Sequence, residues 1–167
     1  MFKWYTISMN RLTIAVIITV CIFLLGWILG SYGPDLMSSA VCYTLLGCNA
    51  GFFGYDAVLH FVSGIMDVLL ILWVTRQFPQ VNLFHDRYWK NALIILALVA
   101  FIAVTWETIE LAHDQFLMKV FHENLRVPNH LTQPSNDDTM GDMIFSLVGA
   151  ACTIRLLRPF IIKMKRE

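Results

Sequence analysis

The stretch from Tyr55 to Trp73 constrains this chain most, because it is apolar enough to enter a bilayer and still carries ionisable side chains. Its sequence, YDAVLHFVSGIMDVLLILW, contains Asp56, His60 and Asp67. On an α-helix these three side chains fall within about 40° of one another, on one narrow stripe. Ionisable side chains at membrane depth are costly and normally face a bundle interior or a wet cavity, so the stripe indicates a functional site.

The composition assigns the chain to the membrane class. Of its 167 residues, 57% are hydrophobic and 14% are charged, which is about half the charged fraction of a soluble domain. The length suits a single integral membrane domain, residues 1–167. The formal net charge is zero, so there is no basic surface for nucleic acid and no acidic tail. The lipid bilayer is therefore the expected partner.

The hydrophobic segments predict an all-α, polytopic fold with about four transmembrane helices. The first apolar run, Leu12 to Leu29, is 18 uncharged residues long, close to the length that crosses the hydrocarbon core. Residues 31–54 are interrupted by glycines and a proline, which favours a re-entrant or interfacial helix, with a fifth span as the alternative. The four predicted spans cover about residues 12–31, 55–76, 91–112 and 138–157.

The distribution of basic residues predicts the orientation of these spans. With four spans, ten of the 12 Lys and Arg residues lie on the side that holds both termini, and only Lys119 and Arg126 lie on the other. The positive-inside rule then places both termini in the cytoplasm. A fifth span would divide the basic residues 8 to 4 and separate the termini, so four spans are favoured. The redox state of Cys42 and Cys48, which share one predicted outer segment, stays open.

This topology brings acidic residues from three helices to the same, outer membrane boundary. The second span begins there, the third ends there and the fourth begins there, each with acidic side chains on one face. Individually, Asp56 and Asp138 could be helix caps, and His60 could be an interhelical hydrogen-bonding residue. Together, the residues predicted to bind a metal or another cation are Asp56, His60, Glu107, Glu110, Asp138 and Asp142.

Such a cluster suggests a cation because many carboxylates cannot stay ionised together in a low-dielectric pocket without a cation, protons or water. Oxygen ligands suit Mg²⁺, and one imidazole shifts the preference towards Mn²⁺ or Zn²⁺, so a divalent metal is the predicted cofactor. Whether the protein is an enzyme stays open. If it is one, Glu107 and Glu110 are the candidate catalytic residues, in metal-assisted hydrolysis of a lipid-linked or envelope substrate.

Asp67 supports an alternative function. It lies about 16 Å below Asp56 along the helix, close to mid-membrane, where it could serve as the relay residue of a proton or ion pathway. Four spans are few for a transporter, which would then require an oligomer. A non-catalytic membrane scaffold is the third interpretation.

The segments YDAVLHFVSG, WETIEL and DDTMGDMIFSLVGA resemble the YjdF-like (DUF2238) family of bacterial inner-membrane proteins and, more distantly, the VanZ-like proteins. The resemblance covers Tyr55 to Ala151 and implies a multi-pass protein of the bacterial inner membrane with a polar site. The approach to the last span, LTQPSNDDT, departs from the family pattern. The matching residues are Tyr55, Asp56, His60, Gly64, Trp106, Glu107, Glu110, Asp138, Asp142, Met143, Gly149 and Ala150.

Overall fold

The computed structural model describes five α-helices, and no strand occurs in its described residues. These residues are 9–36, 55–78, 80, 84, 87–118 and 136–163. A π-helical segment, His113–Met118, extends the third helix. The α-helices are α1 (Met9–Leu36), α2 (Tyr55–Gln77), α3 (Tyr88–Ala112), α4 (Asn136–Leu156) and α5 (Arg158–Lys163).

Three of these helices are long and apolar enough to cross a membrane: Ala57–Gln77, Tyr88–Ala112 and Thr139–Leu156. Within α1, Asn10–Gly26 is a shorter apolar stretch. The all-helical, multi-pass membrane fold expected from the sequence is therefore confirmed, with three candidate spans in the described residues.

The helix bounds differ from the predicted spans at several ends. The first helix continues past residue 31 to Leu36, and α3 begins at Tyr88 rather than at residue 91. The amides of Lys90 and Asn91 both donate to the Arg87 carbonyl, which closes the first turn of α3. Hydrophobicity reports only the length inside the hydrocarbon, whereas backbone hydrogen bonding sets where a helix ends. Residues 37–54, which hold Cys42 and Cys48, lie outside the described residues.

The helix α2 lies at the centre of the bundle, where it packs most extensively against α4 and next against α1. The core between the helices is apolar, and Val68, Leu72, Ile95 and Val99 are fully buried. Such burial of aliphatic side chains fixes which stripe of each helix faces inward.

Glycines bring α2 and α4 into backbone contact. A β-carbon on Gly64 would overlap the carbonyl oxygen of Ser146, and one on Gly149 would overlap the carbonyl oxygen of Phe61. Small residues allow this approach in membrane proteins, where dispersion contacts replace the hydrophobic effect between helices. The absence of a β-carbon at Gly64 and Gly149 therefore sets the close contact between α2 and α4.

Side-chain contacts at the two ends of the bundle give the helix directions. At one end His60 of α2 lies beside Asp142 of α4, and at the other Arg76 of α2 lies 5.5 Å from the ring centre of Phe160, just after α4. These two helices therefore run in the same direction. The Tyr88 hydroxyl at the start of α3 donates to the Ile154 carbonyl near the end of α4, at 3.3 Å, so α3 runs antiparallel to both.

Candidate functional site

One side chain from each of α2, α3 and α4 meets the others at one end of the bundle. His60, Glu107 and Asp142 each offer one ligand atom, and these atoms all lie within 4.8 Å of one another. His60 Nε2 lies 3.6 Å from Asp142 Oδ2. We call these three residues the His–Glu–Asp cluster. They are more than 30 positions apart in the sequence, so only the tertiary structure brings them together.

The periodicity of α3 explains why Glu107 points inward. The buried residues of this helix recur every four positions, as Asn91, Ile95, Val99, Ala103 and Glu107. Side chains four positions apart lie on successive turns about 40° from each other, so this buried row winds slowly around α3 and reaches Glu107 on the side that faces the bundle. Glu107 is 5% exposed although it is a carboxylate near the helix end.

The close packing of α2 on α4 places the other two cluster residues. Gly64 follows His60 by one turn, and its backbone contacts Ser146, which follows Asp142 by one turn. The glycine contact therefore holds the two helices together directly beside the His60–Asp142 pair. Asp142 is 4% exposed, and the His60 side chain is 11% exposed.

The geometry of the cluster suits a small divalent cation. Two atoms that each lie about 2.1 Å from a single ion are at most about 4.2 Å apart. The distance of 3.6 Å between His60 Nε2 and Asp142 Oδ2 falls below that limit. The 4.8 Å bound on the whole group requires only small side-chain rotations to bring the Glu107 carboxylate to the same ion.

The charges of the cluster also suit a cation. With both carboxylates ionised and the imidazole neutral, the cluster would carry a charge of −2 in a buried location, where uncompensated charge is costly. A divalent ion would neutralise that charge. Because the donors include an imidazole nitrogen as well as carboxylate oxygens, they suit Mn²⁺ or Zn²⁺ better than Mg²⁺ or Ca²⁺, which prefer oxygen ligands alone. The site can therefore hold a metal ion by its geometry and by its chemistry.

Among the described residues, Glu110 is the one predicted cation ligand that does not join the three-residue group. Glu110 is partly exposed and its Oε1 accepts a hydrogen bond from Trp106 Nε1 at 2.7 Å. The side chains of Asp56 and Asp138 lie outside the described residues, although both residues belong to the ends of α2 and α4 that carry the cluster.

Asp67 is buried inside α2, below the cluster. It is 5% exposed and lies about 10 Å from His60 along the helix axis. Among the described residues, none forms a hydrogen bond or an ion pair with its carboxylate. A carboxylate buried in a membrane span is a functional-site candidate.

Ser146 is a further buried polar residue, and unlike Asp67 it was not predicted from the sequence to be functional. Its side chain is 1% exposed, and its Oγ has no hydrogen-bond partner among the described residues. Its position four residues after Asp142 places it on the same face of α4. That spacing is the sequence signal that could have identified it, but serine is too common in membrane helices for the spacing alone to be specific.

Comparisons with known proteins agree with the membrane character of the chain. A family described as "Predicted membrane protein (DUF2238)" matches residues 2–161. A protein of Thermotoga maritima (strain MSB8) described as "Uncharacterized protein" is 30% identical over 122 residues, which cover 68% of this chain and 55% of that protein. The chain thus spans about half the length of this relative. No solved structure shows significant similarity to the chain.

Proposed function

The chain belongs to the DUF2238 family of predicted membrane proteins, and from that premise we propose that it binds a divalent cation at one membrane boundary. The proposed ligands are His60, Glu107 and Asp142. The observation that supports this function is the convergence of their ligand atoms, from three separate helices, within 4.8 Å. Such convergence is costly to maintain in a membrane span unless a bound group compensates the charge.

We further propose that the cation site is catalytic. Three protein ligands leave coordination positions for water or substrate, as in catalytic zinc sites. Glu110 lies one turn beyond Glu107 and is oriented by Trp106, so it is the proposed base for a metal-assisted hydrolysis. Asp56 and Asp138 are proposed to contribute further carboxylates from the adjoining ends of α2 and α4.

The proposed topology places this site on the outer face of a bacterial inner membrane. In that topology α1 supplies the fourth span and both termini are cytoplasmic. The support is the basic end of the bundle, where Arg76, Lys90 and Arg158 lie opposite the cluster, in keeping with the positive-inside rule. The substrate would then be a lipid-linked or envelope component.

Metal binding by the purified protein tests the proposal directly. Wild-type protein in detergent should bind Mn²⁺ near one equivalent, measured by electron paramagnetic resonance of the free ion. His60→Ala and Asp142→Asn should each weaken binding by at least about tenfold, because even the loss of a residue that only supports a metal ligand costs 10- to 100-fold.

His113→Ala provides the matched control, since His113 lies in the π-helical segment outside the cluster and its loss should leave Mn²⁺ affinity unchanged. Glu110→Gln should also retain the metal, because Glu110 is proposed as a base and not as an essential ligand. Mn²⁺, Zn²⁺ and Mg²⁺ all failing to bind wild-type protein would contradict the proposal.

A second candidate function is a proton relay that uses Asp67. The observation in its favour is that Asp67, at 5% exposure, lies in the span below the cluster with no hydrogen-bond or ion-pair partner among the described residues. Asp67→Asn keeps the size of the side chain and removes its ability to exchange a proton.

Proton uptake into liposomes that contain the purified protein separates the two functions. If Asp67 is a relay, Asp67→Asn should abolish uptake and retain Mn²⁺ binding, whereas Asp142→Asn should lose Mn²⁺ binding. An absence of proton flux through the wild-type protein would exclude the relay. A wild-type protein that neither takes up protons nor binds Mn²⁺ would instead favour a scaffold role.

A further inference from the structure

A groove on the surface between α3 and α4 lies below the His–Glu–Asp cluster. Its volume is about 570 Å³ and its lining is apolar; the lining residues include Leu93, Ala97, Ala100, Ile144, Val148 and Ala151. That volume falls within the range of small-molecule sites in proteins, about 300–1,000 Å³. The groove belongs to the part of α3 and α4 that can span a membrane, so its mouth opens onto the hydrocarbon.

The groove exists because the two helices meet above and below it. Above, Glu107 approaches Asp142 in the cluster, and below, the Tyr88 hydroxyl bonds to the Ile154 carbonyl. Between these contacts the alanines of the lining are too short to fill the space between the helices. The groove is therefore a shallow depression that lies open along its outer side and is limited by helix contacts at its two ends.

The upper end of the groove leads to the cluster along α3. Ala100 precedes Glu107 by seven residues, which is a rotation of about 20° and a rise of about 10 Å. The two residues therefore share one stripe of the helix, with the apolar one deeper in the membrane span. A cation site above an apolar groove matches a membrane lipid, whose phosphate headgroup could bind the cation while an acyl chain occupies the groove.

We propose that the groove holds one acyl chain of a phosphate-bearing membrane lipid whose headgroup lies at the cluster. This inference rests on the proposed cation site, since the phosphate would bind the ion at positions that the three protein ligands leave open. Moving an acyl chain from bilayer to groove gains little hydrophobic free energy, because lipid surrounds it in both places. Affinity therefore comes from the headgroup, and the groove positions the lipid.

A second copy of the chain fits this groove less well than an acyl chain does. Close helix packing in membranes uses small residues four positions apart, whereas Ala97 and Ala100 are three apart. The rim is also bulky: Leu93, Ile144 and Val148 are 58%, 43% and 45% exposed. A slender, flexible chain can pass between such side chains, but the backbone of another helix cannot approach them closely.

Photolabelling in lipid nanodiscs tests the inference. The probe is phosphatidylglycerol with a diazirine on one acyl chain, added with Mn²⁺, and peptide mass spectrometry locates the label. We expect the label to concentrate on the groove segments of α3 and α4. Ala97→Phe should reduce that labelling several-fold, because Ala97 is exposed and a phenyl ring there fills the groove. Ala151→Phe fills it from α4 and serves as the second variant should the first not fold.

Ile102→Phe is the matched control, because Ile102 is 41% exposed on α3 and does not line the groove. It should leave the labelling unchanged. The inference would be overturned if wild type and both groove variants were labelled equally, or if the label spread evenly over α1 and the other helices. Either result would mean that the probe reacts only from the surrounding bilayer. Cross-linking of a second copy through the groove would also overturn it.

Mn²⁺ binding measured on the same samples separates the inference from the proposed function. Both groove variants should bind Mn²⁺ as wild type does, and Glu107→Gln should lose the Mn²⁺-dependent part of the labelling. Mn²⁺ binding without groove labelling overturns the lipid assignment and leaves the cation site. If the protein binds no metal but its groove is labelled and Ala97→Phe abolishes that labelling, the cation site is overturned and the acyl-chain groove is retained.

Discussion

At Gly64 the backbone of α2 contacts that of α4, and the contact is possible because glycine has no β-carbon. Its missing β-carbon leaves room for the Ser146 carbonyl oxygen. The contact lies one turn from both His60 and Asp142, so the spacing of two cluster residues depends on it. Helix propensity and packing make opposite predictions here, which makes the position informative.

Gly64→Ala should destabilise the protein. Propensity alone would stabilise a helix by up to about 1 kcal/mol, but overpacking against backbone costs about 1–3 kcal/mol or more. The cost of overpacking should exceed the gain in helix propensity, because a carbonyl oxygen of a neighbouring helix cannot rotate away as a side chain can. The measurement is the unfolding midpoint in detergent. Ser63→Ala, next to it on α2, adds no atom and should leave the midpoint nearly unchanged; a more stable Gly64→Ala protein would refute the prediction.

At the scale of the helices, α1 differs from the other three long helices. Its apolar side chains point in many directions, with Ile14, Ile17 and Ile18 more than half exposed to the surroundings. Among the described side chains of α1, at residues 10–26 and 28, only Leu12 and Val16 are buried. A helix that is hydrophobic all round suits a lipid environment, and its position is then set by few specific contacts.

One such contact joins α1 to α2, where Trp73 Nε1 donates to Thr13 Oγ1 at 3.2 Å. In a double-mutant cycle, Thr13→Val and Trp73→Phe should show a coupling energy of about 0.6 kcal/mol, the average for interhelical hydrogen bonds in a membrane protein. Unfolding in mixed detergent micelles would measure it. Thr105→Val is the control, because its hydroxyl donates to the Phe101 carbonyl of its own helix; coupling of that variant to Trp73→Phe would indicate an indirect effect.

At the scale of the whole molecule, the described residues separate charge between the two ends of the bundle. The acidic cluster occupies one end, and the arginines that lie over aromatic rings occupy the other: Arg76 over Phe160, and Arg158 over Tyr88 at 5.1 Å. Basic residues at one end favour the cytoplasmic face of a membrane. The separation therefore predicts an orientation as well as a site.

Reporter fusions test this orientation. A fluorescent protein fused after the C-terminus should fluoresce, because it remains in the cytoplasm, and alkaline phosphatase at the same place should be inactive. Alkaline phosphatase inserted after Arg126, between α3 and α4, should be active. The reverse pattern would place the cluster on the cytoplasmic face and would contradict the proposed envelope substrate.

The sequence by itself determined the class of fold and the end of the bundle where the polar residues gather. Long apolar runs can satisfy their backbone in lipid only as helices, so hydrophobicity identified the three candidate spans. Their alternation then placed His60, Glu107 and Asp142 at the same end. The apolar lengths did not determine the helix ends, because these depend on hydrogen bonds such as those to the Arg87 carbonyl.

Only the tertiary structure decided which polar side chains meet. Helical periodicity gives the angle between residues of one helix, but not the rotation of that helix against its neighbours. The rotation follows from contacts such as those of Gly64 and Gly149 with the facing backbones. Those contacts bring Asp142 to His60 and Glu107, while Glu110 instead accepts a hydrogen bond from Trp106. The groove between α3 and α4 was likewise unpredictable, since a space between two helices depends on both of them at once.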